Sequence, residues 1–547
     1  MAKRLLLLFA LVVTVALPFL LRPRRPARAR TDDTLVIITP HNEAIRHEFG
    51  RAFARWYQGQ TGRTVAVDWR VIGGTSEIDR YLDGEYVAAF RNYWTGTLKR
   101  AWSSEVEAGF RRPHAGPVAP PGSEPPAVAA RRAFLASEVG CGIDLFFGGG
   151  PYDFVKQAQA GFLVDSGVMQ RHPDWFGDEV IPHYYAGEEY WDAQGLWVGT
   201  VLSNYGILYN KDSLARLGFK EPPRQWADLQ DPRLLGEVAL ADPTKSGSSA
   251  KAFENIIQQQ MQERWLGLMV EADRISQLDE PAVRKQAVRE GWINGLRLVQ
   301  LISANARYFS DSSQKPPIDV AMGDCAAGMC IDFYGRTQDE AVRQRGGSAR
   351  LAFAVPVGGT VSAVDPIALL RGAKNRRVAL AFIDWVLSLD AQKLWNFRTG
   401  APGGPELYAL RRMPVRRDFF AHEDWKQFRT DPEESPFAGD NQLIYHEEWT
   451  GDLFREMAFV IRVIGQDAHA ELVSAWRAII QAGRPEAALE VLQDLSAVDY
   501  DKTSGEIRTA LNSKNPADTL ALANRLGRHF RAQYRRAEDI ARLTRVK

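Results

Sequence analysis

Cysteine is scarce in this chain: three residues in 547, Cys141, Cys325 and Cys330. That excludes a disulfide-stapled small domain. Cys325 and Cys330 stand five apart where a loop runs into a strand, and odd spacing sends strand neighbours to opposite faces. They are expected as free thiols. Charge of one sign is lacking too, with a formal net charge of +1. The first 30 residues carry seven Lys/Arg and no acid, leaving 61 basic against 67 acidic residues for the remainder. A nucleic-acid binder concentrates basic charge on its folded part, so that class is excluded. Catalytic signatures are missing as well. There is no Gly-x-Ser-x-Gly elbow, His-Glu-x-x-His pair or Cys-x-x-Cys, no nucleotide-hydrolase phosphate loop, and no Gly-x-Gly-x-x-Gly after the first strand. The chain is therefore read as a binder and not an enzyme.

Long apolar runs are absent beyond one, Leu5 to Leu21, interrupted only by Thr14 and Pro18. Lys3 and Arg4 precede it and Ala27-Arg28-Ala29 follows, the order of an export signal with a small-x-small cleavage site. Five arginines after the run resist translocation, and 17 residues can span a bilayer when tilted. Residues 1–30 are thus a cleaved signal peptide or an N-terminal membrane anchor, and both put the remainder outside the cytoplasm. No Cys follows the run to carry a lipid.

At 61.2 kDa the chain exceeds a single simple core. Thr34–Thr39 reads as a strand, and Glu43–Tyr57 as a helix with Ile45, Phe49, Phe53 and Trp56 on one face. Val65, Val67, Trp69 and Val71 alternate as a second strand, with another helix from about Glu77. This βαβα order predicts a parallel, right-handed α/β sheet. Pro113 to Pro126 holds six Pro and two Gly, an insertion near 113–127 on the surface. Ile143–Phe147 is a further strand and Tyr152–Ala160 a helix. Strand-like runs follow over Leu196–Tyr209, before Asp242, within Val320–Tyr334 and over Leu351–Val357. Ala373–Leu389 is an amphipathic helix, and the chain is helical in pattern from about residue 441 to 547.

In open α/β folds ligands gather beyond the carboxyl ends of strands, where loops enter helices. Four loops suit that place: Pro40-His41-Asn42-Glu43, Gly73-Gly74-Thr75-Ser76, Gly148-Gly149-Gly150 and Lys245-Ser246-Gly247-Ser248-Ser249. Glycine admits close backbone approach, and hydroxyls at a helix start add to its unpaired N–H groups, a combination suited to anions. The candidate ligand contacts are His41, Asn42, Gly74, Thr75, Ser76, Gly149, Ser203, Ser246, Gly247, Ser248, Asp332 and Tyr334. His41, Glu43, Asp332 and Tyr334 form a second candidate set, for a metal, since carboxylate, phenolate and imidazole suit ferric iron. The bland alternatives stand beside these: caps and turns for the loops, a first-turn acid for Glu43, a strand end for Tyr334.

Residues 35–43, 73–76, 143–150, 241–248, 365–370, 400–405 and 414–418 together resemble the iron-type extracellular solute-binding proteins of ABC importers, over roughly residues 34 to 420. The resemblance implies a type 2 periplasmic-binding fold, two Rossmann-like lobes with a ligand cleft. Lobe 1 would take about 31–150 and 335–400, lobe 2 about 190–334, within a two-lobed region of 31–440, with 441–547 as a helical extension. It also implies a monomer in the periplasm, working with a membrane permease and an ATPase, and ferric ion as one cargo, with no resident cofactor. Ferric-binding members carry paired tyrosines after a Gly-acid-x-Ala stretch; here Gly323-Asp324-Cys325-Ala326 leads to Phe333-Tyr334, so one phenol is missing. Relatives take phosphonates, sugar phosphates and thiamine-like molecules, which suit the hydroxyl-rich loops. A membrane-tethered sensor or adaptor, and an enzyme on the same scaffold, are the alternatives.

Overall fold

The computed structural model describes residues 31–113, 124–274, 280–346, 348–438, 442–513 and 515–545. Residues 1–30, expected to be an export signal or anchor, and most of the Pro-rich insertion lie outside the described residues.

The chain opens as its periodicity predicts, with strand β1 (Asp33–Ile38), helix α1 (Glu43–Thr61), strand β2 (Val65–Arg70) and helix α2 (Thr75–Asn92). Asn42 caps α1 by accepting from Ile45 N–H at 3.0 Å, and Ile45, Phe49, Phe53 and Tyr57 bury its inner face. β3 (Leu145–Phe147) and α3 (Pro151–Ala160) follow, then β4 (Leu163–Val164), a hairpin of β5 (Tyr184–Tyr185) and β6 (Glu188–Glu189), and β7 (Val198–Ser203). After Asn204 the backbone enters a second sheet: β8 (Tyr205–Asn210), β9 (Val238–Ala241), β10 (Ala306–Ser310), β11 (Ala327–Ile331) and β12 (Leu351–Ala354). Two long helices, α4 (Gly247–Arg274) and α5 (Glu280–Ala304), lie between β9 and β10, and β11 leads directly into α6 (Asp332–Gln344). β13 (Ala363–Leu370) and β14 (Met413–Pro414) return to the first sheet.

The first sheet runs β14-β7-β13-β3-β1-β2, with β4 also on β13; the second runs β10-β9-β11-β8-β12. β1 pairs in parallel with β2 and β3, as the crossover helices require. β13 is antiparallel to β3 and β7, and β8 antiparallel to β11 and β12. Both sheets are therefore mixed, because the strands that carry the chain between lobes run against their neighbours. The crossings fall at Asn204 and between Ala354 and Ala363, later in the chain than the expected 190 and 334.

The strand expected within Val320–Tyr334 is β11, preceded by the helix Lys315–Met322, while two other local expectations change. Tyr334 does not end a strand; it stands in the first turn of α6, behind Asp332, whose carboxylate accepts from Phe333 N–H at 2.8 Å. The helix expected over 373–389 ends at Leu387, and Ser388 caps a second one, Leu389–Asn396. All three cysteines are free.

The tail packs on lobe 2 and shares its core. Trp292, Leu296, Val299 and Ile302 of α5 join Ile464, Leu472 and Trp476, the last two from α7 (His469–Gln481), and Phe530 and Tyr534 from α8 (Pro516–Arg545) in one apolar cluster. Two hydrogen bonds cross it: Trp476 donates to Asn305 Oδ1 at 2.9 Å and Gln300 to the Tyr534 hydroxyl at 3.0 Å. Lobe 1 has a separate cluster built on β1, β3, α1 and β13. Among the described residues no helix is long and apolar enough to cross a membrane.

Candidate functional site

Three helix N-termini meet where the lobes touch. α2 starts at Gly74-Thr75 and α3 behind Gly148-Gly149-Gly150, both in lobe 1; α4 starts at Ser246-Gly247 in lobe 2. The loops are in contact: a Cβ on Gly74 would lie 3.0 Å from Lys245 O, and one on Gly247 would lie 3.0 Å from Thr75 Oγ1. Gly148 (φ 89°) and Gly149 (φ 109°) are held in the left-handed region. A Cβ on the first would collide with the His41 imidazole, and one on the second with the Thr75 methyl. Backbone N–H groups, positive helix ends and the hydroxyls of Thr75, Ser246 and Ser248 thus share one seam. Ser246 Oγ and Ser248 Oγ stand 3.1 Å apart. Two acids enter the seam: Glu77, whose Oε2 accepts from Gly74 N–H at 3.1 Å, and Asp153 in the first turn of α3, which burial pushes up to about 6, against the Thr75 hydroxyl bonded to it.

Beyond Gly148 the seam reaches a buried guanidinium. Arg412 is 0% exposed. It donates to Asp365 Oδ2 at 2.7 Å and to Ser203 Oγ, and its guanidinium carbon lies 4.5 Å from the Phe333 ring centre and 5.4 Å from that of Trp395. Asp332 is joined to the crossing segment, its N–H bonded to Asn204 O at 2.9 Å. Three buried polar atoms here have no hydrogen-bond partner among the described residues: His41 Nε2, Arg412 Nε and Asp332 Oδ2. Burial, with Arg412 and Arg46 adding to it, lowers His41 well below its usual range, so the ring is neutral at pH 7. Burial pushes Asp332 up to about 6, although Arg336 and Arg412 pull it down. It pushes Tyr334 up to about 12, so the phenol keeps its proton.

Of the residues singled out in the sequence, Gly74, Thr75, Gly149, Ser246, Gly247 and Ser248 come together at the seam, with Ser76 half-buried in the same first turn. His41, Ser203, Asp332 and Tyr334 gather around Arg412. Asn42 is spent on capping α1. Glu43 is exposed in that helix's first turn, so the four candidate metal ligands do not share a face. Among the described residues no three His, Cys, Asp or Glu side chains are placed to hold a metal. Arg412 is the residue that the sequence reading missed. It follows another arginine in an irregular segment, and nothing in its spacing marks it.

Residues 143–409 match the family model of bacterial extracellular solute-binding proteins. An uncharacterized protein of Haemophilus influenzae is 29% identical over 252 residues, 46% of this chain and 60% of its own length. The chain therefore spans about 60% of that curated relative. Among solved structures, the periplasmic binding protein AfuA of Actinobacillus pleuropneumoniae, with exogenous fructose-6-phosphate bound, has a TM-score of 0.47 at 16% identity, covering 82% of this chain and 98% of its own. The apo ferric ion-binding protein A of Pasteurella haemolytica scores 0.46 at 11% identity, covering 79% and 97%. Iron-bound HitA of Pseudomonas aeruginosa scores 0.42 at 17% identity, covering 79% and 99%. The matched residues 143–409, just under half of the chain, hold two of the four cleft loops and the strands of lobe 2, and over them the chain is similar to bacterial extracellular solute-binding proteins.

Proposed function

We propose that this protein captures a small anionic organic molecule outside the cytoplasm, in the seam between its lobes, and delivers it to the permease and ATPase of an ABC importer without chemical turnover. The observation that carries this reading is the meeting of α2 and α3 from one lobe with α4 from the other, N-terminus to N-terminus, at Thr75 and Gly247. Opposed positive helix ends gain most from a negative group between them. Closure then removes water from both sides at once, and contacts from two lobes offset the cost of ordering the ligand.

The second set of groups sharpens the ligand class. Arg412 Nε offers a donor, Asp332 Oδ2 an acceptor and the neutral His41 ring either one. A phosphorylated or phosphonate-bearing molecule with hydroxyl groups satisfies both sets. A bare ferric ion is less well served: its site would lie beside the Arg412 guanidinium, with the single phenol of Tyr334 and the ring of Phe333 where a second phenol would be needed.

Thermal-shift measurements on purified protein against sugar phosphates, phosphonates, thiamine-like cations and ferric salts test this. A phosphorylated compound is expected to raise the melting temperature in proportion to the logarithm of its excess. Arg412→Met should reduce that shift. A rise with ferric salts alone, or with no anion at all, overturns the reading.

A further inference from the structure

Below the ligand-facing end of α4, a buried ionic knot ties the two lobes together. Lys251 Nζ stands 2.6 Å from Glu188 Oε1 and 2.9 Å from Glu254 Oε2, with side chains 12%, 4% and 0% exposed. Glu188 belongs to the β5–β6 hairpin of lobe 1, whereas Lys251 and Glu254 lie on α4 of lobe 2. The segment that leads into the helical tail closes the knot. The Tyr445 ring lies 3.6 Å beneath Lys251 Nζ. The hydroxyls of Tyr445 and Thr450 both donate to Glu254 Oε1, at 3.0 and 2.6 Å. Tyr445 N–H also donates to Ala186 O in the hairpin turn at 2.8 Å. Gly187 (φ 81°) lets the Tyr445 backbone approach, for a Cβ there would collide with Tyr445 O. Gln258, one turn further along α4, exchanges hydrogen bonds with His446 at 2.8 and 2.9 Å.

We infer that Glu188, Lys251, Glu254 and Tyr445 form an interlobe clasp, through which the tail holds the cleft closed whether or not ligand is bound. The clasp sits on the same helix as the ligand loop, Lys251 coming three residues after Ser248. Parting the lobes would pull Glu188 off Lys251 and Tyr445 off Ala186 together. A buried ion pair of this kind adds little net stability against an apolar core, but it fixes one geometry, because a separated partner is left charged without compensation. Access to the cleft would then depend on release of the clasp, and this inference goes beyond the receptor reading.

Two substitutions test it without a ligand. Glu188→Gln keeps the Lys251–Glu254 pair, and with it the fold of lobe 2, while weakening the bond between lobes. Gly187→Ala, in the hairpin turn, displaces Tyr445 and leaves every charge in place. Hydrogen exchange by mass spectrometry on the ligand-free full chain reads the outcome at 74–78 and 242–251, which face the cleft from opposite lobes. The expected result is exchange about fivefold faster than wild type at both segments in both variants, the effect of losing roughly one net hydrogen bond, with β1 and β13 unchanged. Unchanged exchange at the two segments overturns the inference. So does wild-type exchange already as fast as in the variants, or a rise spread evenly into β1 and β13, which would report lost stability and not an opened cleft. Because no ligand is present, failure here leaves the ligand screen untouched, and a blank screen leaves this result standing.

Discussion

Arg412 and Asp332 show how much of the site rests on single buried charges. Arg412→Met would leave Asp365 without its paired cation and Asp332 with Arg336 alone. It is expected to cost about 3–5 kcal/mol, the range for breaking a buried pair by removing one partner, measured as a lowered midpoint in urea unfolding. Asp332 gives a pH signature. Burial pushes its carboxyl up to about 6 in the folded protein, against 3.8 for the free side chain. The native state therefore holds the extra proton between those values, and stability falls as pH rises from about 4 to 6. Asp332→Asn removes that term. The variant is expected to exceed wild type by up to about 3 kcal/mol at pH 7, and to match it near pH 4, which chemical denaturation at the two pH values checks. His41 works in the opposite sense, since its depressed value loses stability as pH falls below 6.5; comparing variant with wild type at each pH cancels it.

The helix starts are where sequence and structure agree most closely. Alternation in β2, the apolar stripe of α1 and the Gly/Ser loops were legible because each is set by neighbours within one or two turns. Ser246→Ala and Thr75→Ala each remove one hydroxyl from the seam, the first also taking the cap on Ser249 N–H at 3.3 Å. Each is expected to weaken binding of the compound found in the thermal-shift screen by about two- to tenfold, the value of one hydrogen bond, by isothermal titration. Unchanged affinity in both would place the ligand elsewhere. The element that misled the reading was α6. Asp332-Phe333-Tyr334 continues the apolar run of β11 in composition, so its start hides in a strand pattern; what ends the strand is Asp332, anchored through its N–H to Asn204 on the crossing segment. The lobe boundary hid for a similar reason. β7 and β8 are separated by Asn204 alone, and one extended run passes from sheet to sheet without a turn signal.

At the scale of the whole molecule, the tail is part of lobe 2. Trp292, Leu296, Val299 and Ile302 are buried against α7 and α8. A chain ending at residue 446 would expose that surface, and is expected to be insoluble or to lack a cooperative melting transition by circular dichroism; a soluble, cooperatively melting product would show that lobe 2 stands alone. The sequence by itself determined the absence of catalytic motifs, the α/β opening, the Gly/Ser loops of the seam and the helical tail, all of which rest on local spacing and composition. Only the tertiary structure decided that Arg412 is the buried centre of the site, that Glu43 faces solvent, and that Glu188, Lys251 and Tyr445 close on one another. Those pairings join residues 47 to 371 positions apart, and no local pattern records which distant side chain will neutralise a buried charge.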